Sequence, residues 1–321
     1  MESKFSEIAT VDDVNKFIEK INYVYIDQKK EERILYHYTS GESLKGIIED
    51  EELRITKSEF LNDKGEIKYT HSTILKIIDE FMASNPSEEE DGFKSLIERG
   101  IDEEEFLADS YVMPFSTNKD SNLLWSNYAN NDGYNIGFRY PEIEEILNLN
   151  INGSKDKFLD QAAVVLSNNV IYDEDKQREY LSTEIICMYK IYIYCKKNEQ
   201  LDKFFEYISK NKVNIFLHSL FFKASCFKQE EEFRIVIMPG NRVNSANSLK
   251  CRFTNGVFIP YFKSSIINNS SGKIRLPIES ITIGPKNNLD IAENGLRYFL
   301  NLNDLDENMV KIKKSNIPYR Y

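Results

Sequence analysis

Strand-like runs lie near both ends of this chain, and long helical stretches separate them. The later runs include EFRIVIM, GVFIPYF, SITIGP and VKIKK, and the earlier ones lie at 34–38, 53–55, 110–117 and 134–140. Neither an internal repeat nor a Gly/Ser-rich linker divides the chain into halves, so early and late strands are expected to share one core. The pattern predicts an α+β fold whose β core is mostly antiparallel.

The prediction for domain organisation is a single domain, 1–321, interrupted by helical insertions. The segments expected to form the β core are 30–63, 109–140 and 226–321. Two segments, 64–108 and 141–225, are expected to be mainly helical. Apolar residues recur at helical spacing in the first, and a strand is expected at VVLSNNVIYDE within the second. A short amphipathic helix is expected within the first 30 residues.

Charge and cysteine spacing argue against several classes of function. A net charge of -11 disfavours an electrostatic grip on nucleic acid by the whole protein. No apolar run reaches the roughly 18 residues that a membrane span needs, and the polar N-terminus does not resemble a signal peptide. We therefore expect a cytoplasmic protein without a membrane partner. The four cysteines lack metal-ligand spacing and are expected to be buried apolar residues, not zinc ligands.

The motif YHYTS, residues 36–40, contains one of the three histidines of the chain. Because side chains alternate along a strand, His37 and Thr39 are expected on one face, and Tyr36 and Tyr38 on the other. His37 is then either a hydrogen-bonded histidine of the core or one wall of a polar site. The motif alone leaves both interpretations open.

A second motif, EEEFRIVIM, begins a strand with three consecutive glutamates. If Phe233 and its alternate neighbours face the core, then Glu230, Glu232 and Arg234 face the other way. Two neighbouring carboxylates repel each other and raise one pKa unless a cation intervenes, and Arg234 is the obvious candidate. The alternative is a solvated strand start.

Two further motifs place aromatic and amide side chains near turns. Trp125 and Tyr128 lie three residues apart on a predicted short helix, after Ser116 at the end of a predicted strand. They form either part of the core or one wall of a site. In SEFLNDKGE, Asp63 is expected to cap a helix, which leaves Asn62 available for another role.

Taken in order, these motifs resemble a bacterial family known as domain of unknown function 2971. The resemblance rests on YHYTS, FLND, LLWSNYA, EEEFRI, FIPY, ITIGP and SNIPYR, from about Tyr36 to Arg320. That family in turn resembles a divergent branch of the ADP-ribosyltransferase fold, which would make NAD the substrate and require no metal.

The resemblance implies a role for each motif residue. Glu232 or Glu230 would be the catalytic glutamate, with Glu232 favoured because it lies deeper in the strand. His37 would contact the nicotinamide ribose, and Tyr128 or Trp125 would stack on nicotinamide. The remaining residues expected to line the NAD site are Tyr38, Thr39, Asn62, Ser116 and Arg234.

The leading hypothesis is therefore an ADP-ribosyltransferase or NAD-consuming enzyme, of the kind found in bacterial toxins and phage-defence effectors. Its acceptor would be a protein or a nucleic acid, and a neutralising or sensor partner is a further expectation. One rival is a catalytically inactive module of the same fold that senses a nucleotide or a phage protein. Another is a metal-dependent nuclease that uses Asp63, Glu66 and Glu230.

Overall fold

The computed structural model describes most of the chain, and the described residues divide between two compact units. The described ranges are 31–61, 65–84, 90–100, 110–152, 163–239, 249–254, 256–265, 268–269, 272–273, 275–287, 289–306 and 308–318. One unit is helical and includes 62–108 and 170–227. The other contains the sheet and comprises 27–61, 109–169 and 228–321. The helix expected in the first 30 residues lies outside the described ranges.

The strands of the described chain are numbered in sequence order. They are β1 (Arg33–Thr39), β2 (Glu52–Lys57), β3 (Tyr111–Ser116), β4 (Tyr134–Tyr140), β5 (Ala163–Asn169), β6 (Glu232–Pro239), β7 (Leu249–Thr254), β8 (Val257–Ser265), β9 (Asn268–Asn269), β10 (Gly272–Lys273), β11 (Ile278–Ile283) and β12 (Lys311–Lys314).

The helices of the described chain are numbered in the same way. They are α1 (Gly41–Glu49), α2 (Gly65–Ser84), α3 (Glu90–Gly100), α4 (Asn122–Tyr128), α5 (Glu142–Asn152), α6 (Glu174–Lys197), α7 (Leu201–Phe221) and α8 (Leu289–Leu302), with short 3-10 turns at Ser58–Phe60 and Ser225–Glu230.

Ten of the described strands form one open sheet, in which β12-β11-β4-β1-β3-β2-β8-β7 are successive neighbours. Strand β6 pairs with β3, and β5 pairs with β6. Every pairing in this sheet is antiparallel except that of β11 with β12. The predicted α+β class with a mostly antiparallel sheet is therefore confirmed.

Period-two alternation divides this sheet into an apolar face and a polar face. Leu35 in β1 and Phe233, Ile235 and Ile237 in β6 are fully buried in the main hydrophobic core. Burying such side chains is worth about 1.5–3 kcal/mol each, which makes the alternation a strong constraint on strand phase. Helix α1 packs its Leu44 into the same core.

Side-chain caps explain where several helices begin. The Ser40 hydroxyl accepts a hydrogen bond from the Ser43 amide at 3.2 Å, which starts α1 directly after the YHYTS strand. Ser121 caps α4 in the same way, and Asp173 caps α6. A cap satisfies a backbone N–H that has no partner within the helix, at about 1 kcal/mol each.

Gly133 and Gly284, each part of a sequence motif, allow neighbouring backbone segments to approach closely. A Cβ on Gly133 would lie 2.3 Å from the Thr39 carbonyl oxygen and 2.8 Å from that of Ala129. A Cβ on Gly284 would lie 2.9 Å from the Gly133 carbonyl oxygen, to which the Gly284 amide donates. The glycines of NNDG and IGP are therefore required by packing.

We expect Gly133→Ala to lower the free energy of unfolding by about 1–3 kcal/mol, because its methyl group would overlap two carbonyl oxygens that cannot move independently. Urea denaturation measures this loss. Gly295→Ala is the matched control, since a Cβ there meets nothing within 4 Å, and alanine at a helix interior adds roughly 0.5–1 kcal/mol. Equal stabilities for the two variants would contradict the packing argument.

The helical unit has an aromatic core and a buried polar anchor. Phe93 contacts Tyr189, Tyr192 and Phe204, with ring centroids 5.2–6.5 Å apart. The buried Gln177 amide accepts from the Tyr69 hydroxyl at 2.7 Å and donates to backbone carbonyls. These contacts hold α2, α3, α6 and α7 together.

The strand expected within 141–225 is present as β5, which pairs with β6 in the sheet, and the helical unit resumes at residue 170. Strand β7 had no counterpart in the predicted strands. Cys187 and Cys195 are buried as expected, whereas Cys226 and Cys251 are exposed. Within the described residues, no helix combines the length and apolar character that crossing a membrane requires.

Candidate active site

The register of three strands places polar motif residues in one row on the polar face. Tyr36 of β1 lies opposite Ser116 of β3, and Ser116 lies opposite Glu232 of β6. Residues directly opposite each other in an antiparallel pair point to the same face. Arg234 follows two residues after Glu232 and therefore shares this face.

A strained turn precedes β6, and hydrogen bonds hold it to the end of β3. Glu231 has a φ of 46°, a left-handed conformation that is uncommon for a residue with a side chain. The Thr117 amide donates to the Glu231 carbonyl at 2.9 Å, and the Asn118 side chain donates to the Glu231 carboxylate. The Ser116 hydroxyl donates to the Glu230 carbonyl at 2.8 Å. Residues from a distant segment thus fix the glutamate turn.

The turn directs the Glu230 carboxylate toward α4. The Tyr128 hydroxyl donates to Glu230 Oε1 at 3.0 Å. Glu230 is 7% exposed, whereas Tyr128 is 37% exposed. A buried carboxylate and an accessible aromatic ring therefore adjoin each other at the end of the polar row.

Glu232 and Arg234 form a buried ion pair beside this turn. The Arg234 guanidinium donates to both carboxylate oxygens, from Nε at 2.7 Å and from Nη2 at 3.0 Å. Their side chains are 8% and 2% exposed. The pairing supplies the cation that two neighbouring carboxylates on one strand face require. It also engages both oxygens of Glu232.

Trp125 is enclosed by a network that leaves no ring face to solvent. It is 0% exposed, and its Nε1 donates to Asp120 Oδ1 at 2.7 Å. The same carboxylate accepts from the Ser315 hydroxyl and the Asn316 amide, both at 2.7 Å. Asp120 therefore ties the LLWSNYA motif to the SNIPYR motif, and of the two predicted stacking rings only Tyr128 is accessible.

Tyr38 belongs to the same network. Its hydroxyl donates to the Asn118 carbonyl at 2.8 Å and accepts from the Ser121 amide at 2.9 Å. Its ring meets Trp125 edge-on, with centroids 4.9 Å apart. Burial raises the pKa of the Tyr38 hydroxyl well above its ordinary value. These contacts position the loop between β3 and α4.

His37 and Thr39 lie on the opposite face from Glu232. Thr39 is buried, and the His37 ring packs edge-on against Phe115 in the main core, at 6.0 Å between centroids. His37 Nδ1 lies 3.2 Å from the Pro114 carbonyl oxygen. The structure therefore brings together Ser116, Tyr128, Glu230, Glu232 and Arg234, and separates His37 and Thr39 from that group.

Burial lowers the pKa of His37 below its ordinary 6.5, the nearby Arg252 cation lowers it further, and the Pro114 carbonyl offsets part of this. The unfolded chain therefore binds a proton that the folded chain resists. The stability contributed by the neutral ring is complete above about pH 6.5 and is lost as the pH falls toward the folded-state pKa.

We expect the free energy of unfolding to decline between about pH 7 and pH 5.5, by at most roughly 1.4 kcal/mol per pH unit for this group. The change His37→Gln should flatten that decline in urea denaturation series, whereas the control His71→Gln should keep it. An undiminished slope in His37→Gln would contradict this account.

A family model matches residues 124–235, and it describes a protein of unknown function, DUF2971. This match confirms the family resemblance predicted from the motifs. Over residues 124–235 the chain is similar to the DUF2971 family. Neither curated proteins nor solved structures gave a match to the chain.

The DUF2971 match covers most of the candidate site. Tyr128, Glu230, Glu232 and Arg234 lie within the matched residues, while Ser116, whose hydroxyl donates to the Glu230 carbonyl, lies before them. The row on the polar face therefore joins the matched segment to β3.

Asn62 and Asp63 lie outside the described residues, as does the side chain of Glu66. Among the described residues, no group of three or more His, Cys, Asp or Glu side chains is arranged to hold a metal ion.

The sequence motifs did not single out Asp120, Asn118 and Ser315, whose hydrogen bonds hold the site residues in position. Their signal was present, because STNKDS and SNIPYR both combine short hydrogen-bonding side chains with turn residues. What the motifs lacked was any indication that they contact each other across 195 positions of the chain.

Proposed function

We propose that this protein is an NAD-consuming enzyme that transfers ADP-ribose to a macromolecular acceptor, with water as the competing acceptor. The observation that carries the proposal is the contact between the accessible Tyr128 ring and the buried Glu230 carboxylate. A ring for stacking and a carboxylate for charge stabilisation are the groups that cleavage of an N-glycosidic bond requires.

In the proposed step, the bond between the ribose carbon and the nicotinamide nitrogen breaks, and its electron pair leaves with nicotinamide. Positive charge develops on the ribose, and the Glu230 carboxylate stabilises it through a hydrogen bond from the ribose 2'-hydroxyl. The acceptor oxygen or nitrogen then bonds to the ribose carbon and gives up its proton. Tyr128 would stack on nicotinamide and hold the leaving group in orientation.

The remaining residues have supporting roles in this proposal. We assign catalysis to Glu230 and not to Glu232, because Arg234 occupies both carboxylate oxygens of Glu232. Ser116 anchors the Glu230 backbone, and the left-handed Glu231 turn sets the direction of the carboxylate. We assign His37 no contact with the reacting ribose, since it lies on the opposite face of β1.

The test uses purified protein, NAD labelled in its adenylate half, and a bacterial lysate as the source of acceptors. Transferase activity predicts label on a macromolecule, and hydrolase activity predicts free ADP-ribose. Digestion with protease or nuclease then identifies the acceptor class. Intact NAD after prolonged incubation with folded protein would overturn the proposal.

A second candidate is a module of the same architecture that binds a nucleotide without turnover. The observation that favours it is the buried Glu232–Arg234 ion pair. A carboxylate held in such a pair is typical of a structural contact and not of a reactive group. This candidate predicts that NAD raises the melting temperature of the protein while no nicotinamide is released. It also predicts an undiminished thermal shift in Glu230→Gln.

We also propose that NAD consumption by this protein serves a toxin or phage-defence role. This role predicts that expression of the wild-type chain slows bacterial growth and that Glu230→Gln relieves the effect at equal protein level. Equal growth inhibition by both forms would separate any toxicity from NAD consumption.

The change Tyr128→Phe should lower kcat for nicotinamide release about 5–10-fold with little change in KM. It removes one hydrogen bond to the carboxylate, worth roughly 1 kcal/mol, and keeps the stacking ring. Tyr128→Ala is the comparison and should raise KM as well. Steady-state kinetics measures both constants, and identical values for Phe and Ala would contradict the stacking role.

A further inference from the structure

A long run of the sequence around β7 and β8 contains no acidic residue. Residues 233–278 include seven Lys and Arg and neither Asp nor Glu, in a chain that has 52 acidic residues and a net charge of -11. Strands β7 and β8 lie within this run, at the opposite end of the described strand order from β12. The run therefore reverses, locally, the acidic character of the chain.

Strand register brings Arg252 of β7 close to β2 on the polar face. Arg252 lies opposite Ile259 of β8, and Tyr261, two residues further on, lies opposite Thr56 of β2. Side chains two positions apart share a face of the sheet. The Arg252 guanidinium accordingly reaches Thr56, and its Nη2 donates to Thr56 Oγ1 at 3.0 Å.

Arg252 is a half-buried cation without a carboxylate partner. The acidic residues of the neighbouring segment bind other cations, since Glu52 accepts from Arg54 and Lys263, and Asp50 accepts from Arg54. Arg252 itself forms no ion pair with any residue that the structure describes. Burial lowers the pKa of Arg252, and the nearby Arg54 cation lowers it further. A half-buried cation beside a second cation is unfavourable unless an anion joins them.

The contacts of Arg252, Thr56 and Arg54 leave hydrogen-bond donors for such an anion. Arg252 uses Nη2 for Thr56, which leaves Nε and Nη1. The Thr56 oxygen accepts in that contact, so its own hydrogen can donate to a ligand. Arg54 binds its carboxylates through Nε and Nη2, which leaves Nη1. Guanidinium forks suit both carboxylate and phosphate, but a phosphate group carries up to two charges and therefore matches two guanidinium groups.

His37 lies near enough to Arg252 to report on this position. Strands β1 and β2 pair with different parts of β3, at Ser116 and at Val112, and neither pairing includes Pro114 between them. His37 Nδ1 lies 3.2 Å from the Pro114 carbonyl oxygen. Burial lowers the pKa of His37, and the Arg252 cation lowers it further. An anion bound to Arg252 should therefore raise it.

We propose that Arg252, Thr56 and Arg54 form a binding site for the phosphate group of a small molecule, either free pyrophosphate or the phosphates of a nucleotide. Arg252 binds two phosphate oxygens through its fork, Thr56 orients that fork and donates its hydroxyl hydrogen, and Arg54 supplies the second positive charge. The inference does not depend on the proposed NAD chemistry, in which these three residues have no role.

The test is isothermal titration calorimetry of the full chain with pyrophosphate, at neutral pH and low ionic strength. Wild type should bind with a Kd below about 1 mM, and Arg252→Met should weaken binding about 10–100-fold because charge-assisted hydrogen bonds are lost. Arg252→Lys should bind with intermediate affinity, since an ammonium group keeps the charge without the fork. The control Arg139→Met, which removes an arginine paired with Glu142 on β4, should bind like wild type. Equal affinity in Arg252→Met, or no binding by wild type at about 10 mM pyrophosphate, overturns the proposal.

A parallel titration with ADP distinguishes the two sources of the phosphate group. If Arg252→Met weakens the binding of both ADP and pyrophosphate, the site receives the phosphates of a nucleotide. If it weakens the binding of pyrophosphate alone, the site receives the free anion.

Thermal unfolding separates a ligand-binding arginine from a structural one. Arg252→Met leaves no described carboxylate without its partner, so the melting temperature of the ligand-free protein should fall by less than about 4 °C. Pyrophosphate should raise the melting temperature of wild type and leave that of Arg252→Met unchanged. A larger fall in the ligand-free variant would identify Arg252 as structural and overturn the proposal.

Proton NMR of the histidine ring signals locates the bound anion. The titration midpoint of His37 should move to higher pH in saturating pyrophosphate, because the anion offsets the Arg252 cation. His71, which lies in the helical unit, is the internal control and should keep its midpoint. A His37 midpoint that does not move contradicts binding at Arg252.

Discussion

Replacing Arg234 by methionine is expected to lower the free energy of unfolding by about 3–5 kcal/mol, a loss that can unfold a marginally stable domain. The Glu232 carboxylate is 8% exposed and receives two hydrogen bonds from this guanidinium. Without the cation, the carboxylate stays buried with its charge uncompensated. Urea denaturation at pH 7 measures the loss.

The double variant Glu232→Gln with Arg234→Met is the control for this prediction. It removes both charges, so no uncompensated charge stays buried, and it should be more stable than Arg234→Met alone. Groups around the pair still lose a hydrogen-bond partner. If the double variant lost the sum of the two single effects, Glu232 and Arg234 would not be coupled. A loss below about 1 kcal/mol for Arg234→Met would contradict the buried-pair interpretation.

The change Glu230→Gln is expected to lower kcat/KM for nicotinamide release by about 10²–10³-fold. Glutamine keeps the size of the side chain and can still accept from the Tyr128 hydroxyl, but it has no negative charge to stabilise the developing positive charge on ribose. The fold should be retained, because the isosteric amide preserves the contact with α4.

Glu231→Gln is the matched control, since it removes the neighbouring carboxylate from the same turn. That carboxylate accepts from the Asn118 side chain and faces solvent. Its rate of nicotinamide release should stay within a few-fold of the wild type. If both variants lost activity equally, the effect would come from the total charge of the turn and not from Glu230.

Local features of this fold follow from short-range sequence patterns. Period-two alternation correctly predicts the core face of β6 through Phe233, because burying the wrong set would expose several large side chains. The predicted strand Tyr134–Tyr140 matches β4 residue for residue. Helix α4 begins after a serine, Ser121, which supplies its cap.

Short-range patterns could not predict which residues from distant strands share a face of the sheet. The alternation predicts that His37 and Tyr36 face opposite sides, but it does not say which side Glu232 shares. That depends on the register of β1 and β6 against β3, which joins Tyr36 to Ser116 across 80 positions of the chain and Ser116 to Glu232 across 116. Strand β7 was missed because none of the side chains of LKCRFT is buried, and Phe253 is 64% exposed.

The left-handed turn at Glu231 has no sequence signal of the usual kind. Glycine or asparagine normally marks such a position, and glutamate there is strained. Contacts from Thr117 and Asn118 stabilise it, and neither residue is near it in sequence. Strain of this kind collects at functional sites, in agreement with the proposed role of Glu230.

The most direct measurement is proton NMR of NAD incubated with the purified wild-type chain, because nicotinamide has ring signals distinct from those of NAD. The account predicts that free nicotinamide accumulates in proportion to the wild-type protein and fails to accumulate with folded Glu230→Gln at the same concentration. Intact NAD in the wild-type sample, or equal release by both proteins, would contradict the assignment of this site to NAD consumption.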